Sequence, residues 1–119
     1  MDMPCVLVAE NERIIGADLC DTVEEAGFIV EGPHRDVSSA MLAFQKHKPD
    51  IAILGVRLED GVAYALAKKL ADEDVPIIFH SGLFTREDVR AKFPEATTLP
   101  KPCPPADMIA AVNEVLAGD

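Results

Sequence analysis

Five short apolar runs alternate with stretches of helical periodicity, and that alternation leaves few folds open. Val6-Leu7-Val8-Ala9 reads as a strand. Glu12 to Ala26 reads as a helix, with Ile15, Leu19, Val23 and Ala26 along one face. Gly27 stands where a C-capping glycine belongs. Phe28-Ile29-Val30 begins a second strand, which Gly32-Pro33 ends. Asp36 is placed to N-cap a helix that presents Val37, Met41 and Phe44, and Pro49 prevents further helix. Ile51 to Leu54 is the third strand, and Asp60-Gly61 turns the chain into a helix from Val62 to about Ala71. Pro76 to His80 is the fourth strand. Thr85 with Asp88 gives a capping-box signal for a short helix to about Phe93. Ala96 to Leu99 is the fifth strand. Pro104 and Pro105 suit the first turn of a last helix that turns Ile109, Val112 and Leu116 inward.

The interior runs are nearly continuous in apolar residues, the pattern of parallel strands covered on both faces. Five such β-α units predict a doubly wound α/β sandwich with right-handed crossovers. The chain of 119 residues suits a single domain over 1–119, with no linker, repeat or effector domain. Aromatic residues are few, so the core rests on Ile, Leu, Val and Ala. A net charge of −10 argues against nucleic-acid or acidic-membrane partners, because phosphate contacts need Lys and Arg clusters. Cys5, Cys20 and Cys103 are far apart and match no metal-ligand spacing. Cys5 and Cys20 read as small buried residues of a reduced cytosol, and Cys103 lacks a His partner for a reactive role. There is no signal-peptide pattern and no apolar run of membrane-spanning length, so a cytoplasmic location is expected.

In an open parallel sheet, ligands bind beyond the carboxyl ends of the strands. The residues there are Glu10-Asn11, Gly55, Ser81-Gly82 and Lys101-Pro102. Each has an ordinary reading as a loop residue. Their joint placement, one set per strand end, favours a site. Phosphoryl chemistry at that place needs a carboxylate at position 55 as nucleophile and metal ligand, and glycine does neither job.

The stretches Val6-Leu-Val-Ala-Glu10-Asn11-Glu12, Pro49-Asp50-Ile-Ala-Ile-Leu-Gly55-Val-Arg57-Leu-Glu-Asp-Gly61, Phe79-His-Ser81-Gly82 and Leu99-Pro-Lys101-Pro102 resemble the receiver domain of two-component response regulators. The resemblance covers nearly the whole chain. It implies the flavodoxin-like fold, with a five-stranded sheet in order 2-1-3-4-5. Phe79-His-Ser-Gly and the short fourth helix are similar to a stand-alone receiver subgroup with Phe-Ala-Thr-Gly on the fourth strand. The resemblance also implies roles. In the family an acidic pair after the first strand binds Mg²⁺, and an Asp after the third accepts a phosphoryl group from a kinase histidine. A Ser or Thr after the fourth contacts that group, a Lys pairs with it across a cis Lys-Pro bond, and an aromatic on the fifth strand reports the change. By that correspondence Glu10, Ser81 and Lys101 keep their parts, with Pro102 the cis-proline candidate. Asn11 replaces the second acid, Gly55 replaces the phosphoacceptor, and Leu99 stands at the aromatic switch position.

The departures change the chemistry. Glu10 and Lys101 sum to zero charge, so Mg²⁺ binding is expected to be weak or absent, and no cofactor is expected. Arg57 lies two residues beyond Gly55, where its guanidinium could reach Glu10 or Glu12 or else point to solvent. The chain therefore reads as a pseudo-receiver, not an enzyme, that signals by contact with a histidine kinase or another regulator. Its fourth helix, fifth strand and fifth helix form the expected face, with self-association through it possible and Leu83 and Phe84 as candidate apolar contacts. The competing reading is an active receiver that uses a neighbouring acid, Glu12, Glu59 or Asp60. A flavodoxin-like cofactor binder is disfavoured, since Glu10-Asn-Glu-Arg13 lacks a glycine-rich phosphate loop.

Overall fold

The computed structural model describes residues 3–82 and 86–118. Thr85, Leu83 and Phe84, to which the sequence assigned a cap and two surface contacts, lie outside the described residues. The elements run β1 (Cys5–Ala9), α1 (Arg13–Glu25), β2 (Ile29–His34), α2 (Val37–Lys46), β3 (Ile51–Gly55), β4 (Arg57–Leu58), β5 (Gly61–Val62), α3 (Tyr64–Asp72), β6 (Ile77–Ser81), α4 (Arg86–Lys92), β7 (Thr97–Pro100) and α5 (Pro105–Ala117). The main sheet is parallel in order β2-β1-β3-β6-β7, which is the doubly wound 2-1-3-4-5 arrangement once the short β4-β5 ribbon is set aside.

β3 and β6 are buried from end to end and β1 from Val6 onward, which is why their sequences do not alternate. Successive residues feed opposite sides of the sheet. Leu7, Ala52, Leu54 and Phe79 join Phe44, Leu66, Leu70 and Val89 on the α2, α3 and α4 side. Val6, Val8, Ile51, Ile53 and Ile78 join Leu19, Val23, Met108 and Val112 on the α1 and α5 side. Each fully buried Val, Ile or Leu contributes about 1.5–3 kcal/mol, so the strand cores dominate stability.

Local signals behave largely as read. Gly27 follows α1 with φ +98°, a left-handed backbone that favours glycine. The Asp36 carboxylate accepts from the Ser39 amide at 2.6 Å and caps α2. Ala26, counted on the inner face of α1, is instead its exposed C-cap, and the inner face of α5 centres on Met108, Ala111 and Val112. Two elements differ more. Gly32-Pro33 does not end β2, which continues to His34 with an irregular register opposite Leu7–Ala9. An edge strand tolerates proline because its outer side needs no ladder donor. The segment after β3 also forms a small antiparallel ribbon, Arg57 pairing Val62 and Leu58 pairing Gly61, before α3 begins at Tyr64. Cys5 and Cys20 are partly buried thiols, not fully buried ones.

Candidate functional site

Register assembles the site. Ala9 pairs with Leu54, so the chain leaving β1 at Glu10 lies beside Gly55 at the end of β3. Gly55 in turn pairs with His80, and His80 with Leu99. Beyond these ends lies a cleft of about 470 Å³ lined by Asn11, Glu12, Val56, Arg57, His80, Ser81, Gly82 and Lys101. A second cleft of about 460 Å³ opens near the amino ends of β6 and β7, among Val75, Ile77 and Phe93, away from these polar groups.

Glu10 is fully buried. Its carboxylate accepts from Lys101 Nζ at 3.0 Å on Oε1 and from the Glu12 amide at 3.2 Å. The ammonium also lies 3.0 Å from Oε2, as a charge contact without hydrogen-bond geometry. Lys101 reaches Glu12 at 3.6 Å as well. The Lys101–Pro102 peptide bond is cis.

The glycine at 55 is filled from outside. A β-carbon built on Gly55 would sit 2.7 Å from Glu10 Oε2 and 3.2 Å from its carboxyl carbon. The Glu10 carboxylate thus occupies the volume that a side chain at 55 would need. Arg57 is exposed and makes no ion pair with Glu10 or Glu12 among the described residues. The alternative in which it points to solvent holds, because Lys101 already takes both carboxylates.

His80 is a site residue that the sequence reading passed over as part of a strand. It is buried, with Nδ1 3.9 Å from Glu10 Oε2. Burial, helped by the Lys101 charge, pushes its pKa down to about 4, against a smaller upward pull from Glu12 and the Pro100 carbonyl. Among the described residues neither ring nitrogen has a partner with full hydrogen-bond geometry. The Ser81 hydroxyl is buried and has no partner among the described residues, and Leu99 packs partly buried against the α1 and α5 side. In the sequence His80 stands at the end of an apolar run and inside the Phe79-His-Ser81-Gly82 stretch, which gives it no role of its own.

The donor set does not suit a divalent cation. Glu10 is held by an ammonium, Gly55 offers no side-chain oxygen, and Asn11 brings an amide. Among the described residues no group of three or more His, Cys, Asp or Glu side chains could hold a metal ion. Nor are the two acids after β3 turned toward Gly55. Glu59 pairs with Arg35. Asp60 accepts from the amides of Val37 and Ser38 at 2.6 and 3.2 Å and from the Ser38 hydroxyl at 3.0 Å. It therefore serves as a second cap of α2, and the Val37 and Ser38 bonds hold its pKa below the usual carboxylate range. Burial, with Asp107 nearby, raises the Cys103 pKa, which works against thiolate reactivity.

No protein-family model matches the sequence. The backbone superposes on the receiver domain of the Erythrobacter litoralis PhyR response regulator with a TM-score of 0.88, at 23% identity, over 100% of this chain and 94% of that one. A response regulator receiver protein from Sinorhizobium medicae matches with a TM-score of 0.86 at 24% identity, over 98% and 96% of the two chains. The chain has the response regulator receiver fold. In sequence it is 28% identical over 111 residues to the transcriptional regulatory protein PdtaR of Mycobacterium tuberculosis, covering 91% of this chain and 54% of PdtaR. It therefore spans about half the length of the curated relatives it matches. Within this receiver fold, Glu10, Gly55, Ser81 and Lys101 lie together at the strand ends, and Glu59 and Asp60 are drawn off toward α2. No described helix is long and apolar enough to cross a membrane.

Proposed function

We propose that this receiver-fold domain acts in two-component signalling by protein contact, without accepting a phosphoryl group at position 55. One observation carries the reading. The acceptor position is a glycine whose side-chain space is filled by a Glu10 carboxylate already paired with Lys101. No oxygen at 55 can attack a phosphorus, and the group that would neutralise the transferred phosphoryl is engaged. Rescue by Glu59 or Asp60 is disfavoured by their bonds to Arg35 and the start of α2. The domain is thus read as non-enzymatic and cofactor-free. Its partner is a histidine kinase or another regulator in the cytoplasm, met through the face of α4, β7 and α5 as the family resemblance implies, with self-association through that face as its homotypic form. The net charge of −10 supports protein partners over nucleic acid or acidic lipid.

Incubation with acetyl phosphate and Mg²⁺ followed by intact-mass measurement tests the reading. An unchanged mass is expected. A phosphoryl increment, mapped to Glu12, Glu59, Asp60 or any other carboxylate, would establish the active-receiver alternative.

A further inference from the structure

Glycine at 55 is not required by the backbone. The glycines with left-handed φ are Gly27, Gly32, Gly61 and Gly118, and Gly55 is not among them. It is the last residue of β3, paired with His80 in the parallel ladder to β6, where a strand gains nothing from glycine. What crowds a side chain there is the Glu10 carboxylate, with three of its atoms within 3.4 Å of the β-carbon position. The backbone amide of Glu10 is bonded to the His34 carbonyl at 2.9 Å, which fixes the root of that side chain. Lys101 and the Glu12 amide fix its tip. Two buried polar groups, the ring of His80 and the Ser81 hydroxyl, and the half-buried Lys101 ammonium face this carboxylate or the adjoining cleft.

We propose that Glu10 is a built-in anion for this cleft, matched to Gly55. Its carboxylate fills the space of the absent side chain and supplies Lys101 with a permanent counter-charge. It thereby closes the cleft to outside oxyanions and crowds any side chain at position 55, which would have to displace a carboxylate tied to Lys101 and the Glu12 amide. The proposal rests on packing and not on the functional reading above. A covalent adduct on another carboxylate would overturn that reading and leave this one standing.

The pairing predicts a reversal of sign. Gly55→Ala in the parent chain overpacks the carboxylate, and the melting temperature falls by roughly 4–12 °C. In a Glu10→Ala background the same substitution enters the space that the carboxylate vacated and replaces glycine within a strand, so the melting temperature rises by roughly 2–4 °C. If Glu10→Ala does not fold, Glu10→Asp is the second background, because shortening the side chain withdraws the oxygens from residue 55. There Gly55→Ala loses at least half of its penalty. Equal effects of Gly55→Ala in the parent and in either background would overturn the pairing. Titration with inorganic phosphate, followed by amide shifts of Gly55, Ser81 and Lys101, gives an independent readout. The parent is expected to show no saturable shift up to about 10 mM, and Glu10→Ala (or Glu10→Asp) to show one. Saturable millimolar binding by the parent at these amides would refute closure of the cleft.

Discussion

Lys101→Met tests how much the buried pair matters. In the parent chain, Glu10 is fully buried and its carboxylate has two partners within hydrogen-bonding distance, the Lys101 ammonium at 3.0 Å and the Glu12 amide at 3.2 Å. His80 cannot replace the ammonium near neutral pH. Burial, the largest cause of its lowered pKa, persists when Lys101 is replaced, and its Nδ1 is 3.9 Å away. Methionine fills much of the lysine volume, so the substitution mainly leaves a buried charge without a counter-charge. Breaking a buried pair from one side costs about 3–5 kcal/mol. At about 2.1 cal/mol/K per residue, a domain of 119 residues loses roughly 4 °C of melting temperature per kcal/mol, so a drop of about 12–20 °C is expected. Thermal unfolding followed by far-UV circular dichroism at pH 7 measures it. Glu10→Gln in the same chain removes the stranded charge and should recover most of the loss. A drop of about 4 °C or less for Lys101→Met would refute the reasoning, because that is what a solvent-screened surface pair contributes.

His80 makes stability depend on pH in a defined window. Its folded pKa lies below the ordinary 6.5, so the neutral ring stabilises the fold above about pH 6.5. That contribution, about 3 kcal/mol, declines as pH falls toward 4. Urea unfolding at pH 7 and pH 5 should show the slope, and His80→Gln should flatten it. Tyr64 works at the other end of the scale. Burial first, and then its 2.6 Å bond to Asp88, raise its pKa to about 12, so its contribution is present below pH 10 and is lost as pH rises through 12. Tyr64→Phe should remove that alkaline loss between pH 9 and pH 11.5, and an unchanged melting profile would show that the phenol is idle. Asp60→Ala should lower the melting temperature and speed hydrogen exchange at the Val37 and Ser38 amides, leaving the Ser39 amide protected by Asp36. Equal loosening of all three amides would mean that α2 frays as a unit.

Local physics made much of the fold legible. Continuous apolar runs at Val6–Ala9, Ile51–Leu54 and Pro76–Phe79 announce buried parallel strands, because both faces of each strand are covered. Gly27 and Asp36 announce helix ends, since left-handed backbone and an unsatisfied amide are local demands. The grouping of Glu10, Gly55, Ser81 and Lys101 followed from the topology that those runs imply. Other features had no local signature. The run of β2 through Gly32-Pro33 depends on its place at the sheet edge, and the β4-β5 ribbon forms where Glu59 pairs with Arg35 and Asp60 caps α2.

What the sequence determined by itself is the layering of the chain and the absence of an acceptor atom at Gly55, since both are properties of residue types in order. What only the tertiary structure decided is where the neighbouring charges went. Register across three strands sets Glu10 against Gly55 and His80, and the loop after β7 brings Lys101 back over them. Those contacts join residues up to 91 positions apart. Charge and burial at such a point depend on distances that no run of neighbouring letters encodes.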